Sequence, residues 1–123
     1  MKKRVLVVDD DISTRVLCTE ALNLAGYTVD KAADGGEALK NLGWLRYDLV
    51  ISDVEMPVLD GIGLYENILK EHPYLRDRVL FITGNVSNDK LSALELMKQR
   101  YLLKPFKVSH LLDMAAEITK DRP

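Results

Sequence analysis

The sequence predicts an α/β fold: one parallel sheet with helices on both faces. Three observations carry this. Short apolar runs such as Val5-Leu6-Val7-Val8 and Val79-Leu80-Phe81-Ile82 are too short for helices and suit strands buried on both faces. Segments with helical spacing separate these runs, so five strands alternate with five helices. Polar residues able to do chemistry then collect where the strand runs stop, at Asp9, Asp10, Asp53, Thr83 and Lys104.

Taken in order, Val5–Val8 forms the first strand and Asp9-Asp10-Asp11 follows at once. Asp11 or Ser13 can cap a helix running to about Ala25, with Leu17, Ala21 and Leu24 spaced i, i+4, i+7. Gly26 is a natural stop. Tyr27–Ala32 alternates weakly and reads as the second strand. After the loop Asp34-Gly35-Gly36, a second helix covers about Gly36–Trp44 with Ala38, Leu39 and Leu42 inward. Asp48–Ser52 is the third strand, and Ile62 to about Glu71 the third helix, ended by His72-Pro73. Arg78–Thr83 is the fourth strand, closed by Gly84-Asn85. Asn88–Gln99 is helical in pattern, with Leu91, Leu94 and Met97 or Lys98 on one face. Tyr101–Leu103 is the fifth strand, ending at Lys104-Pro105. The last helix runs from about Val108 to Lys120 with Leu111, Leu112, Ala115 and Ile118 on its core side.

A chain of 123 residues fits a single domain, 1–123, with a core of its own. A net charge of −2 offers no basic field, so direct nucleic-acid binding is not expected. The lone Cys18 excludes an internal disulfide, and its helical setting suggests a small apolar packing role rather than catalysis. Met1-Lys2-Lys3-Arg4 has the charge of a signal peptide's start, but Val5–Val8 is too short for its apolar segment. No apolar run reaches membrane-spanning length, so no membrane partner is expected and a cytoplasmic location is. Arg76-Asp77-Arg78 and Lys120-Asp121-Arg122 read as solvated charge runs.

The stretch Leu49-Val50-Ile51-Ser52-Asp53-Val54-Glu55-Met56-Pro57 places a carboxylate at the end of a buried strand and a loop straight after it. Alone, Asp53 could simply cap that loop. Ligands of an open parallel sheet, however, bind beyond the carboxyl ends of its strands where the strand order reverses. Strands one, three, four and five supply three carboxylates, a hydroxyl and an ammonium there, while strand two ends in Ala32-Ala33. The pattern predicts one cleft lined by four strands, with strand two at an edge.

Val7-Val8-Asp9-Asp10, Ser52-Asp53-Val54-Glu55-Met56-Pro57-Val58-Leu59-Asp60-Gly61, Thr83-Gly84 and Lys104-Pro105-Phe106 together resemble the signature set of response-regulator receiver domains, the phosphoacceptor modules of two-component signalling. The resemblance covers nearly the whole chain and implies a flavodoxin-like fold with strand order 2-1-3-4-5. It implies that Asp53 takes a phosphoryl group from a histidine kinase or phosphotransfer protein. Asp10 and Asp53 would hold Mg2+ directly, Asp9 mainly through water, and Glu55 through its backbone carbonyl. Thr83 would follow the phosphoryl group, Lys104 would pair with the acceptor carboxylate and then the phosphoryl group, and Tyr101 would turn inward as Thr83 moves. The Lys104-Pro105 bond is expected to be cis. The implied outcome is a signalling switch rather than a metabolic enzyme, read by a downstream output protein or domain through helix four, strand five and helix five. A phosphorylation-dependent homodimer through that face is left open, as is the choice between a stand-alone receiver and one domain of a larger regulator or hybrid kinase.

Physical chemistry supports these roles independently. Three clustered carboxylates repel strongly at low dielectric and stay ionised only beside a hard cation and a lysine. In-line attack on phosphorus needs its oxygens neutralised. Plainer readings stand beside the functional ones: Lys104 as a solvated lysine, Thr83 as a hydroxyl bonded to its own backbone, Tyr101 as ordinary core. Two whole-chain alternatives also stand, a pseudo-receiver acting only as an interaction module and an aspartate-nucleophile phosphohydrolase using Asp53-Val54-Glu55. The chain departs from the family at Lys98-Gln99-Arg100, where small residues, often Gly-Ala, are usual. Glu55 adds a carboxylate beside the acceptor, and its side chain is expected to alter the lifetime of the phosphoryl group.

Overall fold

The computed structural model describes residues 2–84 and 87–120. Strands β1 (Arg4–Val8), β2 (Thr28–Ala32), β3 (Leu49–Asp53), β4 (Val79–Thr83) and β5 (Arg100–Leu103) form one sheet in the order β2-β1-β3-β4-β5, every pair parallel. Helices α1 (Ile12–Leu24), α2 (Gly35–Trp44), α3 (Gly61–Glu71), α4 (Asn88–Leu96) and α5 (Val108–Thr119) connect and follow them. This is the flavodoxin-like arrangement, and its order reverses between β1 and β3. Part of the turn expected at Gly84-Asn85 and of the charge run Lys120-Asp121-Arg122 lies outside the described residues, at Asn85 and at residues 121–122.

The period of two along each strand divides the core. Leu6, Val8, Val50 and Phe81 pack with Ala38, Leu42, Leu64, Ile68 and Leu94 on the side of α2, α3 and α4. Val5, Val7, Leu49, Ile51, Leu80 and Ile82 pack with Cys18, Leu22, Leu111, Ala115 and Ile118 on the side of α1 and α5. Both faces being covered, β3 and β4 are buried at every residue, whereas the edge strands β2 and β5 are largely half-buried. Burial also pushes the Cys18 thiol up to about 12, so it packs as an apolar group.

Carboxylates set the starts of the first three helices. Asp11 accepts from Thr14 N, Asp34 from Glu37 N and Asp60 from Gly63 N, each as N-cap. Ser87 does the same for α4 through Lys90 N.

Three expectations need correction. The inner face of α1 is Cys18 and Leu22, not Leu17, Ala21 and Leu24; Leu17 and Leu24 are exposed. Apolar residues lie all around this helix, so spacing alone selects no stripe. The Asp11 cap and the bond from Arg15 Nη1 to the Asp9 carbonyl (2.8 Å) fix how it leaves β1. Next, α4 stops at Leu96 rather than Gln99, because Lys98 takes a left-handed conformation (φ 56°). Lys98 N bonds Glu95 O and Gln99 N bonds Leu94 O, both at 3.0 Å, and this closure turns the chain into β5. Finally, Arg78 is half-buried instead of solvated and donates to the Asp48 carbonyl at 3.3 Å.

Candidate functional site

The cleft lies where the strand order reverses, at the carboxyl ends of β1, β3, β4 and β5. Backbone bonds carry the sheet one residue past these strands and so fix the side chains that follow. Asp9 N donates to Ala32 O (3.1 Å), Val54 N to Ile82 O (3.1 Å) and Lys104 N to Thr83 O (2.7 Å). The loop after β3 folds back tightly. Gly61 N bonds Val54 O at 2.9 Å, and a side-chain carbon at Gly61 would run into the Asp53 carbonyl oxygen.

Asp9, Asp10 and Asp53 each present a carboxylate oxygen, and these oxygens lie within 4.8 Å of one another. Asp9 and Asp53 are buried while Asp10 is exposed, so the group opens to solvent on one side. One Asp9 oxygen accepts from Asp11 N at 2.9 Å, and the other meets Lys104 Nζ at 3.1 Å. The same ammonium stands 3.6 Å from Asp53 Oδ2. Burial first, and then the Asp9 charge, push the Asp53 carboxyl up to about 6, with Lys104 opposing and Asp10 adding a smaller push. Burial works against the Lys104 ammonium, but Asp9 and Asp53 outweigh it and hold its pKa above the ordinary lysine value. The site therefore carries more anionic charge than one lysine balances.

This donor set suits a small hard cation. Oxygen ligands, an open face for water and an excess of negative charge are what Mg2+ requires.

Thr83 ends β4 fully buried, and its Oγ1 has no hydrogen-bond partner among the described residues. A buried hydroxyl left so costs about 1–3 kcal/mol. That rules out the plain reading in which it satisfies its own backbone. Tyr101 lies one strand across, its Cα registered with Phe81. It packs half-buried against the core with its hydroxyl 3.3 Å from Glu95 Oε1, so it faces α4 and not the carboxylates. The Lys104-Pro105 peptide bond is cis.

The Glu55 side chain is not in the carboxylate group. Its Oε1 pairs with Lys90 Nζ at 2.9 Å, and Lys90 also reaches Asp60 Oδ2 at 3.3 Å. Sequence reasoning passed over Lys90. Nothing in the spacing brings the first turn of α4 to the loop after β3, and only the cap spacing Ser87 to Lys90 marks where that residue sits.

Comparison with known proteins finds relatives along nearly the whole chain. The family model described as response regulator receiver domain matches residues 5–116. The probable transcriptional regulator ycf27 of Cyanophora paradoxa is 41% identical over 112 residues, 89% of this chain and 45% of that protein. The chemotaxis protein CheY4 of Vibrio cholerae superposes with a TM-score of 0.86 at 34% identity, covering 96% of this chain and 99% of that one. A CheY-like receiver domain protein from Methanospirillum hungatei JF-1 gives 0.88 at 28% identity, over 97% and 94% of the two chains. The chain spans about half the length of the curated relatives it matches. No helix among the described residues is long and apolar enough to cross a membrane.

Proposed function

The chain belongs to the response regulator receiver domain family, and from that premise we propose that it is a phosphoacceptor switch whose acceptor is Asp53. The observation carrying this reading is the convergence of Asp9, Asp10 and Asp53 within 4.8 Å, with Lys104 pairing to both buried carboxylates. Residues 1–123 act as a single receiver unit in this reading.

Asp10 and Asp53, the Glu55 backbone carbonyl and, through water, Asp9 would hold Mg2+, which supplies neutralisation of the phosphoryl oxygens. An Asp53 oxygen attacks the phosphorus of a phosphohistidine on a histidine kinase or phosphotransfer protein. The new P–O bond forms as the P–N bond breaks, and the electron pair stays on the imidazole. Lys104 is already placed to pair with the acceptor carboxylate and then with a phosphoryl oxygen. The product adds charge to a site already rich in it.

Thr83 gives the added charge a receiver. Its unpartnered hydroxyl gains a hydrogen bond by moving toward a phosphoryl oxygen. The room this frees accepts Tyr101, which lets go of Glu95 as it turns inward. The change reaches α4, β5 and α5, where a downstream output protein or domain, or a second copy of the chain, would read it.

The test is incubation with acetyl phosphate and Mg2+, with intact mass as the readout. One phosphoryl group should be gained with Mg2+, none with EDTA, and none by Asp53→Ala. No gain by the parent protein would overturn the reading and favour the interaction-module alternative. Steady hydrolysis of small phosphate esters would favour the phosphohydrolase one.

A further inference from the structure

We propose that Lys90 is a positioning residue that lengthens the life of the phosphoryl group by holding the Glu55 carboxylate away from the water that would attack the phosphorus. The inference rests on the acceptor reading above and deepens it.

Three elements meet at this ammonium. Glu55 lies in the loop two residues past the acceptor, Asp60 caps α3, and Lys90 belongs to the first turn of α4. Asp60 spends one oxygen on Gly63 N at 2.8 Å and offers the other to Lys90 at 3.3 Å. Lys90 is thereby fixed from two sides, and Glu55 is drawn to it at 2.9 Å. Both carboxylates, Glu55 first, hold the Lys90 ammonium firmly charged.

Glu55 is the one acidic side chain of that loop left over once Asp60 has capped α3. At 48% side-chain exposure it has access to solvent and freedom to move. Two residues from Asp53, an unpaired carboxylate could accept a hydrogen bond from water approaching the phosphorus. Such help is general-base assistance, worth up to orders of magnitude when well placed. In hydrolysis the water oxygen forms a bond to phosphorus as the bond to the Asp53 oxygen breaks. The electron pair returns to the Asp53 carboxylate and the water proton leaves with phosphate or solvent. Paired to Lys90, Glu55 is spent on the ammonium and held toward α4.

The experiment measures loss of the phosphoryl group after a desalting step, by intact mass, in parent, Lys90→Met, Lys90→Arg, Glu55→Gln and the double variant Glu55→Gln/Lys90→Met. Thermal melts run alongside. The proposal expects Lys90→Met to lose phosphate about 3- to 10-fold faster than parent, less than the roughly 10²- to 10⁴-fold of a fully positioned general base because a freed Glu55 is not held in one pose. Lys90→Arg should stay within about two-fold of parent because it keeps the ion pair. The double variant should decay as Glu55→Gln does. An unchanged or slower decay in Lys90→Met, or an acceleration that persists without Glu55, overturns the inference while the acceptor reading stands. If Lys90→Met melts below the assay temperature, Lys90→Gln takes its place under the same criteria. Failure of the parent to take up phosphate at all would instead overturn the acceptor reading, and this inference with it.

Discussion

Lys104 Nζ stands 3.6 Å from Asp53 Oδ2, although β4 separates the strands that carry them. The bond from Lys104 N to Thr83 O sets where the lysine leaves β5, and the bond from Val54 N to Ile82 O fixes the end of β3. Two backbone anchors on the intervening strand thus bring acceptor and ammonium together. Asp9 is closer still to the lysine, at 3.1 Å, which leaves Asp53 under-neutralised when no divalent ion is bound. Several measurable consequences come from that imbalance and from the way the loops are built.

Removing the Asp53 charge should stabilise the metal-free fold at high pH. Folding raises this carboxyl from its ordinary 3.8 to about 6, so the folded state favours the proton. The sign follows: stability from this group is fully present below about pH 4 and is lost as pH rises through about 6. Asp53→Asn should gain about 1–3 kcal/mol over parent at pH 8 without divalent ions, and the gain should vanish near pH 4. Chemical denaturation at the two pH values checks it; equal stability at pH 8 would refute it.

Thr83 should tolerate loss of its hydroxyl in the unphosphorylated protein. Thr83→Val keeps the shape and removes a buried oxygen that has no partner among the described residues. The variant should be as stable as parent or more so, by up to about 1–2 kcal/mol. A drop of that size instead would show that the hydroxyl is already bonded.

Two glycines should respond oppositely to alanine. A Cβ at Gly61 would collide with the Asp53 carbonyl and stand 3.0 Å from Val54 Cα, all backbone. Gly61→Ala should cost about 1–3 kcal/mol. Gly43 in α2 has nothing within 4 Å of such a carbon, so Gly43→Ala should gain roughly 0.5–1 kcal/mol from helix preference alone. Melts of the two single variants decide it, and shifts in the same direction would contradict the loop geometry.

Lys98 is a second place where stability can be added. It occupies at φ 56° the conformation that Gly26 supplies after α1 at φ 100°. Lys98→Gly should gain about 1 kcal/mol by relieving the left-handed strain. A lower melting temperature would mean that the lysine stem contributes more packing than the strain costs.

Much of this arrangement was legible in the residues themselves. Buried parallel strands announce themselves as unbroken apolar runs, and the strand-end rule then places Asp9, Asp10, Asp53 and Lys104 in one cleft before any coordinates are known. What escaped depends on rotation and on contacts between distant segments. The inner face of α1 could not be read because Val16, Leu17, Cys18 and Leu22 offer several stripes, and only the cap at Asp11 chooses one. The early end of α4 turns on a single left-handed residue with an ordinary helix-forming side chain. The pairing of Lys90 with Glu55 joins residues 35 positions apart in the chain. Neither periodicity nor motif spacing reports such a contact.

The most direct trial of the central claim is to locate the phosphoryl group chemically. After incubation with acetyl phosphate and Mg2+, borohydride reduces an acyl phosphate to the alcohol, and peptide mass spectrometry then reads which carboxylate was modified. The account requires homoserine at position 53 alone. Conversion at Asp9 or Asp10, or at none of the three, would contradict it.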